Sequence, residues 1–438
     1  MPLSRSLLLL GLLVFPVRDL SAQKPTGISE VDSAAVARLA WRRGQIGLRT
    51  RDVATANREL AHAAAAWPTQ PAYLWGSATA AALSDDRRTV VRVLTAYADM
   101  GLGNDLESDS IVGSYLSQPS FTQIATRLQR NRMPVVRSRL VATLADSTIW
   151  PEGMDLDGRT QMLYVTSVRH RTIVAATDGA LPHDLWPREM PGMGAMLAVR
   201  VDTARNVLWA TTSGIPQMLG YTAADSSIAA LLEIGLSDGK IQRRWNLPVV
   251  QGGHVLGDVA VGPLGDVYFS DSNEPFLYRL RPNADTLERI TSPLFRSLQG
   301  VAPAPDGRIV YVADYSHGIT RVDMQTGRVT RVADAPHSTS LGCDGIVFDR
   351  NGIIAIQNGV SPARVIRFAL DSSGTRFTRA EVLDQNSLLA DEPTIGTIVG
   401  NDFVYVANSQ WEKFRDDGTV KPGVRLTPPL LLAVPLPK

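Results

Sequence analysis

Two different hydrophobic periods divide the chain near residue 130. From Glu30 to Arg130, alanine-rich stretches place apolar residues three and four positions apart, with short polar breaks between the stretches. This spacing gives each stretch one apolar face and predicts paired helices. After Pro134 the pattern changes to short apolar or alternating runs separated by Gly, Asn and Asp, which predicts strands joined by tight turns.

The helical region carries a degenerate internal repeat. Trp41 and Trp75 are 34 residues apart, and Leu60 and Leu94 keep the same offset. This is the period of a tetratricopeptide repeat, which stacks pairs of helices. We therefore expect a tetratricopeptide-like domain over residues 23–130. It is either a capping or spacer domain or a groove that docks a protein partner.

Six segments in the rest of the chain share the order strand, tight turn, strand, and most continue into a third strand. Three of the intervals between their starting residues are 42, 42 and 45 residues. Repeats of this length and strand order are typical of propeller blades. We predict a six-bladed β-propeller over residues 131–438, in which a strand at 135–146 closes the last blade. The six segments are 150–167, 193–213, 255–272, 297–316, 342–359 and 394–409.

The N-terminus has the layout of a signal peptide. Arg5 is followed by an apolar run from Leu7 to Val17 and then by the small residues Ser21 and Ala22. The run is too short to cross a hydrocarbon core of about 30 Å. We expect cleavage at the end of residues 1–22, which leaves a periplasmic or secreted protein with no membrane span.

Composition excludes some partners and one kind of covalent link. The 44 Lys and Arg residues nearly balance the 43 Asp and Glu residues, so no strong field favours nucleic acid. Cys343 is the single cysteine, so no disulfide can form within the chain.

The propeller topology predicts where chemistry would lie. The innermost strand of each blade begins at the rim of the central channel, and the next strand returns to the same face. Glu152, Gln299 and Asp344 begin innermost strands, and Asp258 follows Gly257 at another. Carboxylate and amide oxygens that converge on one channel are the ligands that Ca²⁺ or Mg²⁺ prefers.

The segments at these positions resemble the regucalcin/gluconolactonase family of six-bladed propellers. In that family a glutamate before glycine and an aspartate before glycine bind the metal, and the aspartate is the presumed base. The resemblance implies a divalent cation, Ca²⁺ first, held by Glu152, Gln299 and Asp344. The segments that carry it are PEGMDLDGRTQMLYV, GDVAVGPLGDVYFSD, LQGVAPAPDGRIVYVADY and CDGIVFDRNGIIAI.

Two positions depart from the family pattern. Gln299 stands where the family has an asparagine, and Gly257 stands where it and the paraoxonases have an asparagine before the aspartate. Gln299 keeps an amide oxygen on a longer side chain, whereas Gly257 offers no side chain. Strictosidine-synthase-like propellers share the PDGRIVYVAD pattern but lack this metal site.

The resemblance implies a metal-dependent hydrolase of sugar lactones or related esters, with Asp344 or Asp258 as the base. For Asp258 the alternative is a buried carboxylate that accepts backbone N–H groups between blades. His254, His317 and Trp411 are candidates for substrate contact, although a lone histidine in a loop is often a surface residue. The competing function is a non-catalytic propeller that binds a ligand or protein while its helical domain docks a partner.

Overall fold

The computed structural model describes residues 29–177 and 181–437. The leader expected over residues 1–22 lies outside these ranges. Within them, none of the helices combines the length and the apolar character that a membrane crossing requires.

Six α-helices form the N-terminal part of the described chain. Asp52 and Asp86 cap two of them by accepting the backbone N–H groups of Thr55 at 3.0 Å and Thr89 at 3.1 Å. Between the helices the ring of Trp41 stacks on the ring of Tyr73, with 5.0 Å between the ring centroids. The predicted helical domain is confirmed, while its likeness to tetratricopeptide repeats stays a prediction. The helices are α1 (Ser29–Thr50), α2 (Val53–Ala66), α3 (Pro71–Leu83), α4 (Arg87–Asp99), α5 (Val112–Leu116) and α6 (Thr122–Asn131).

The strands form six four-stranded antiparallel sheets, which are the blades of a propeller. β1 (Arg139–Thr143) precedes the first blade. Blade 1 contains β2 (Met154–Asp157), β3 (Met162–Ser167), β4 (Thr172–Ala176) and β5 (His183–Asp184). Blade 2 contains β6 (Ala195–Asp202), β7 (Val207–Ser213), β8 (Ala229–Gly235) and β9 (Ile241–Asn246). Blade 3 contains β10 (Val259–Val261), β11 (Val267–Asp271), β12 (Phe276–Leu280) and β13 (Leu287–Ile290).

The remaining three blades follow in the same order. Blade 4 contains β14 (Leu298–Pro303), β15 (Ile309–Asp314), β16 (Gly318–Asp323) and β17 (Val329–Arg331). Blade 5 contains β18 (Ile346–Asp349), β19 (Gly352–Gln357), β20 (Arg364–Leu370) and β21 (Phe377–Gln385). Blade 6 contains β22 (Gly396–Val399), β23 (Asp402–Val406) and β24 (Leu430–Pro435), and it is completed by β1.

The ring closes through strands from both ends of the propeller. β1 pairs antiparallel with β24, so that Arg139 lies opposite Ala433 and Thr143 lies opposite Leu430. The sheet order β1-β24-β23-β22 places β1 outermost. The closing role predicted for this segment is confirmed, and it removes an exposed sheet edge at β24.

The apolar core of the propeller lies between successive blades. For example, Tyr268 of blade 3 packs in one buried cluster with Val310 and Val312 of blade 4. Val165 of blade 1 shares another cluster with Leu431 of blade 6. Each blade therefore buries its two faces against its neighbours, which holds the innermost strands around one axis.

The helical domain packs on loops of blades 4 and 5. Trp67 contacts His317 edge to face with 5.3 Å between ring centroids, and the guanidinium of Arg331 lies 5.2 Å from the Trp67 ring. Leu341 of the propeller belongs to the helical hydrophobic cluster. His317 follows the second strand of its blade, so the helices cover part of the face at which the innermost strands begin.

Candidate active site

Glu152, Gln299 and Asp344 each stand directly before a glycine at the start of an innermost strand. These glycines allow close contact between blades. A Cβ on Gly153 would lie only 2.7 Å from the carbonyl oxygen of Leu197 in blade 2. The backbone therefore passes against the next blade at this point, and the preceding polar side chain is held at the inner edge of the ring.

Glu152 is half-buried and is anchored by two contacts. The indole N–H of Trp411 donates to its Oε2 at 2.7 Å, and the hydroxyl of Thr394 donates to its backbone carbonyl at 2.6 Å. Trp411 itself packs against Trp150, with 4.6 Å between ring centroids. Trp411, predicted to contact substrate, thus orients the Glu152 carboxylate, and contact with substrate stays a prediction.

Asp344 is held by the side chain of Asn358, which follows β19. Nδ2 of Asn358 donates to Oδ2 of Asp344 at 2.7 Å and to the carbonyl of Pro393 at 2.9 Å. The other amide atom, Oδ1 of Asn358, is buried and has no hydrogen-bond partner in the described residues. This oxygen is therefore free to accept a proton donor or to bind a cation.

Both carboxylates have raised pKa values, and the charge of Asp344 opposes the ionisation of Glu152. Burial raises the pKa of Glu152 well above its ordinary value, and the nearby charge of Asp344 raises it further. Burial raises the pKa of Asp344 to about 6; the Asn358 bond opposes this rise, and the charge of Asp258 adds to it. Like charges that share a poorly solvated site disfavour the doubly ionised state unless a cation lies between them.

Glu392 is a third carboxylate that sequence reasoning missed. Burial raises its pKa to about 7, and its charge contributes to the raised pKa of Glu152. Its Oε2 accepts the backbone N–H of Glu412 at 3.2 Å. The available signal was the acidic pair Asp391 and Glu392 directly before the sixth innermost strand, in a loop that carries no strand pattern.

A sequence comparison identifies the family to which this propeller belongs. The profile described as the SMP-30/Gluconolactonase/LRE-like region matches residues 150–388, which is more than half of the chain. The chain belongs to the SMP-30/gluconolactonase family. The match includes Glu152, Gln299 and Asp344, and it ends before Glu392 and Trp411. No curated protein matches the chain.

Several solved structures are similar to this member of the SMP-30/gluconolactonase family. A gluconolactonase from Xanthomonas campestris has 18% identity and a TM-score of 0.44, with 68% of this chain and 90% of that chain covered. Virginiamycin B lyase from Staphylococcus aureus has 14% identity and a TM-score of 0.44, with 61% of this chain and 80% of that chain covered. An aldose sugar dehydrogenase from Streptomyces coelicolor has 16% identity and a TM-score of 0.44, covering 69% and 100%.

The two departures from the family pattern lie side by side in space. Gln299 of blade 4 is half-buried, and its side-chain amide oxygen lies beside Gly257 at the start of blade 3. Within the described ranges the Gln299 amide makes no hydrogen bond. It is therefore a second amide near the axis whose oxygen has no hydrogen-bond partner in the described part of the chain.

Asp258 is buried and bridges two blades. Its Oδ1 accepts the N–H of Val259 at 2.8 Å, and its Oδ2 accepts the N–H of Val301 in blade 4 at 2.8 Å. Asp155 makes the same kind of bridge from blade 1 to Val201 in blade 2. These bonds match the alternative in which Asp258 is a buried carboxylate that accepts backbone N–H groups between blades. The role of Asp258 as a base stays a prediction.

Arg200 crosses the channel beside Asp258, and sequence reasoning did not single it out. Its guanidinium lies 3.8 Å from Asp155 and 4.0 Å from Asp258, and it donates to the hydroxyl of Thr397 in blade 6 at 3.0 Å. An arginine within a strand has no sequence signal that separates a channel position from a surface one. Only closure of the ring brings its partners together.

Both ring nitrogens of His254 are engaged by the protein. Nδ1 lies 2.5 Å from Asp271 and Nε2 lies 2.8 Å from the carbonyl of Pro248. Burial opposes protonation, but these partners more than offset it and raise the pKa of His254. These two contacts hold the loop that contains His254 in place. The substrate contact predicted for His254 stays a prediction.

His317 lies beneath the helical domain. Its Nε2 is 2.5 Å from the guanidinium of Arg38 in α1, and its Nδ1 is 2.9 Å from the hydroxyl of Ser316. The edge contact with Trp67 covers the ring. The structure thus places His317 in the interface between the two domains, and its predicted contact with substrate stays a prediction.

Proposed function

We propose that this protein is a divalent-cation-dependent hydrolase of lactones or related esters, with its site at Glu152, Gln299 and Asp344. The observation that carries the proposal is the pair Glu152 and Asp344: both have raised pKa values, and the charge of Asp344 contributes to the rise at Glu152. The nearby Oδ1 of Asn358 has no hydrogen-bond partner among the described residues. Family membership supports the reaction class.

The donor atoms fit a hard cation such as Ca²⁺. They are carboxylate and amide oxygens, and Oδ1 of Asn358 is buried with no partner within the described part of the chain. Those ranges contain no arrangement of three or more His, Cys, Asp or Glu side chains that could hold a metal ion. The proposed ligand set therefore depends on amides: Glu152 and Asp344 supply charge, and Gln299 and Asn358 complete the oxygen set.

The cation would supply Lewis-acid stabilisation of negative charge on the substrate's carbonyl oxygen. Asp344 accepts a proton as a water oxygen forms its bond to the carbonyl carbon. The ring C–O bond then breaks, and the same proton passes to the departing alkoxide oxygen, which yields a hydroxy acid. Asn358 orients the Asp344 carboxylate through Nδ2, and Trp411 orients Glu152.

A lactone panel with acid release as the readout tests this proposal. Purified protein is stripped with a chelator and assayed before and after addition of Ca²⁺, Mg²⁺, Mn²⁺ or Zn²⁺. We expect turnover only with a cation and at least a hundredfold loss in Asp344→Asn, since general-base catalysis contributes about 10²–10⁴-fold. If calorimetry shows no binding of any of the four cations, the metal-dependent mechanism is wrong.

The second candidate is a non-catalytic binding propeller, which Gly257 favours. A glycine at the start of blade 3 removes a side chain from the channel. On this proposal the same sugar-like ligands bind without being consumed. Calorimetry on a lactone that the protein does not hydrolyse separates the two functions.

A further inference from the structure

The domain interface contains a buried arginine that has no acidic partner among the residues that the structure describes. Arg364, the first residue of β20, is 2% exposed. Its Nη1 donates at 3.1 Å to the carbonyl of Met100, the C-cap residue that follows α4, and its Nε donates to Oε1 of Gln357 at 2.6 Å. Nη2 has no hydrogen-bond partner in the described residues. The C-terminal end of α4 thus stabilises the charge through its partial negative dipole.

Gln357 also binds the loop that leads into Asp344, and it thereby connects Arg364 to that loop. Its Nε2 donates to the carbonyls of Thr339 at 2.8 Å and Leu341 at 2.7 Å. Gln357 is fully buried, and Leu341 packs within the helical hydrophobic cluster. The loop before Asp344 is therefore fixed from two sides, by the helical domain and by the end of β19.

The same glutamine is adjacent to the partner of Asp344. Gln357 is the last residue of β19, and Asn358 follows it directly. Nδ2 of Asn358 donates to Oδ2 of Asp344, and the backbone N–H of Asp344 donates to the carbonyl of Ile356 at 2.8 Å. A shift of Gln357 would displace Asn358 through the chain and Asp344 through its loop.

We infer that the helical domain positions the Asn358–Asp344 pair of the active site through Arg364 and Gln357. The domain is then a working part of the hydrolase, and Arg364 and Gln357 are positioning residues. The consequence for cation binding rests on the proposed function, whereas the consequence for the geometry of the pair does not.

A buried arginine is a costly way to fasten two domains. Removing a guanidinium from water without a carboxylate is unfavourable, and apolar residues of similar volume often stabilise an interface equally well. Burial lowers the pKa of Arg364 to about 10. What Arg364 adds is direction, because its planar donors fix the carbonyl of Met100 and the amide of Gln357 at once.

A matched pair of glutamine substitutions tests the inference. Gln385 is also buried and also donates through Nε2 to two backbone carbonyls, those of Asn131 at 3.1 Å and Met133 at 2.8 Å. In the full-length protein both Gln357→Met and Gln385→Met remove two hydrogen bonds from Nε2 to backbone carbonyls, and Gln357→Met also removes the bond from Arg364. Crystal structures of both variants report the distance from Nδ2 of Asn358 to Oδ2 of Asp344, and calorimetry with CaCl₂ reports cation affinity.

We expect Gln357→Met to lose the Asn358–Asp344 hydrogen bond and to weaken Ca²⁺ binding by about tenfold, the lower end of the effect of groups that orient metal ligands. Gln385→Met should retain both, although it also lowers thermal stability. Arg364→Lys, which keeps the charge but not the fixed donors, should give an intermediate loss of affinity. It also serves as the test variant if Gln357→Met does not fold.

Retention of the bond and of the affinity in Gln357→Met and Arg364→Lys would overturn the inference and make the network a simple domain fastener. Equal losses in Gln385→Met would overturn it too, because they would indicate general destabilisation. If the unsubstituted protein binds no Ca²⁺, the proposed function fails, and the crystallographic distances still decide the positioning role.

Discussion

Oε1 of Gln299 lies 3.2 Å from the point that a Cβ of Gly257 would occupy. The longer side chain from blade 4 thus reaches the space that a side chain from blade 3 would need. The two departures from the family pattern are therefore one linked exchange, in which Gln299 brings an amide oxygen to the site and Gly257 leaves room for it.

This relationship predicts a non-additive pair of substitutions. Gln299→Ala should weaken Ca²⁺ binding about tenfold, because an oxygen donor is lost beside the carboxylates. Adding Gly257→Asn should restore part of the affinity, since the new amide enters the vacated space. Calorimetry on the two single variants and the double variant measures the coupling between the sites.

Gly257→Asn alone provides the control for this coupling. It should lower the thermal midpoint, because the new side chain meets the Gln299 amide and the Ser272 hydroxyl, each 3.2 Å from the Cβ position. Strictly additive effects on affinity would mean that the two residues act separately.

The fold could be predicted because propeller blades are local structures. Each blade is a run of neighbouring hairpins, so alternation of apolar residues and turn residues at Gly and Asp marks it along the chain. The closing strand was also predictable, since the strand at 135–146 had no neighbour of its own. The strands of each blade can therefore be recognised in the sequence without knowledge of the contacts between blades.

The candidate site could be predicted only in part. Glu152 and Asp344 were proposed because each begins an innermost strand and matches a family position before glycine, and the blade topology places such positions on one face. Glu392 lies in a loop and Arg200 within a strand, so their roles depend on packing between distant blades. The position of His317 depends on where the helical domain docks, which no local pattern encodes.

The closing strand predicts a difference between two shortened chains. A chain that begins at Asn131 keeps β1 and the bonds from Arg137 and Ser138 to Asp384, whereas one that begins at Asp146 loses both. Both lose the helices that cover Leu341. We therefore expect the longer chain to be less stable than the full protein but soluble, and the shorter one to aggregate through the exposed edge of β24. Thermal unfolding and size-exclusion chromatography compare them, and equal behaviour would contradict the closing role.

Two isosteric substitutions distinguish the role of Asp344 as a cation ligand from the role of Asp258 as a bridge between blades. Ca²⁺ at 100 times its Kd stabilises the folded state by about 2.7 kcal/mol. Asp344→Asn should abolish this increase, because it removes one of two ligand charges. Asp258→Asn should retain it while lowering stability in chelator by about 1–3 kcal/mol, since the backbone N–H of Val301 loses its charged acceptor.

Thermal midpoints with and without Ca²⁺ measure both effects. A full Ca²⁺ response in Asp344→Asn would remove Asp344 from the ligand set. Loss of the response in Asp258→Asn would show that this carboxylate also supports cation binding.

The Glu152–Asp344 pair predicts how stability depends on pH without a cation. The folded-state pKa of Asp344 is about 6, above its ordinary value of 3.8, and the pKa of Glu152 is also raised. Between the ordinary pKa values of these two groups and their raised values, the folded protein binds more protons than the unfolded chain. The contribution of the two groups to stability therefore falls as pH rises. In chelator, Asp344→Asn should therefore gain stability relative to the unsubstituted protein from pH 4 to 8. Ca²⁺ neutralises the pair, so its stabilising effect should be larger at pH 8 than at pH 5. Denaturant unfolding at each pH measures both trends, and a Ca²⁺ effect that shrinks as pH rises would contradict charge repulsion at this site.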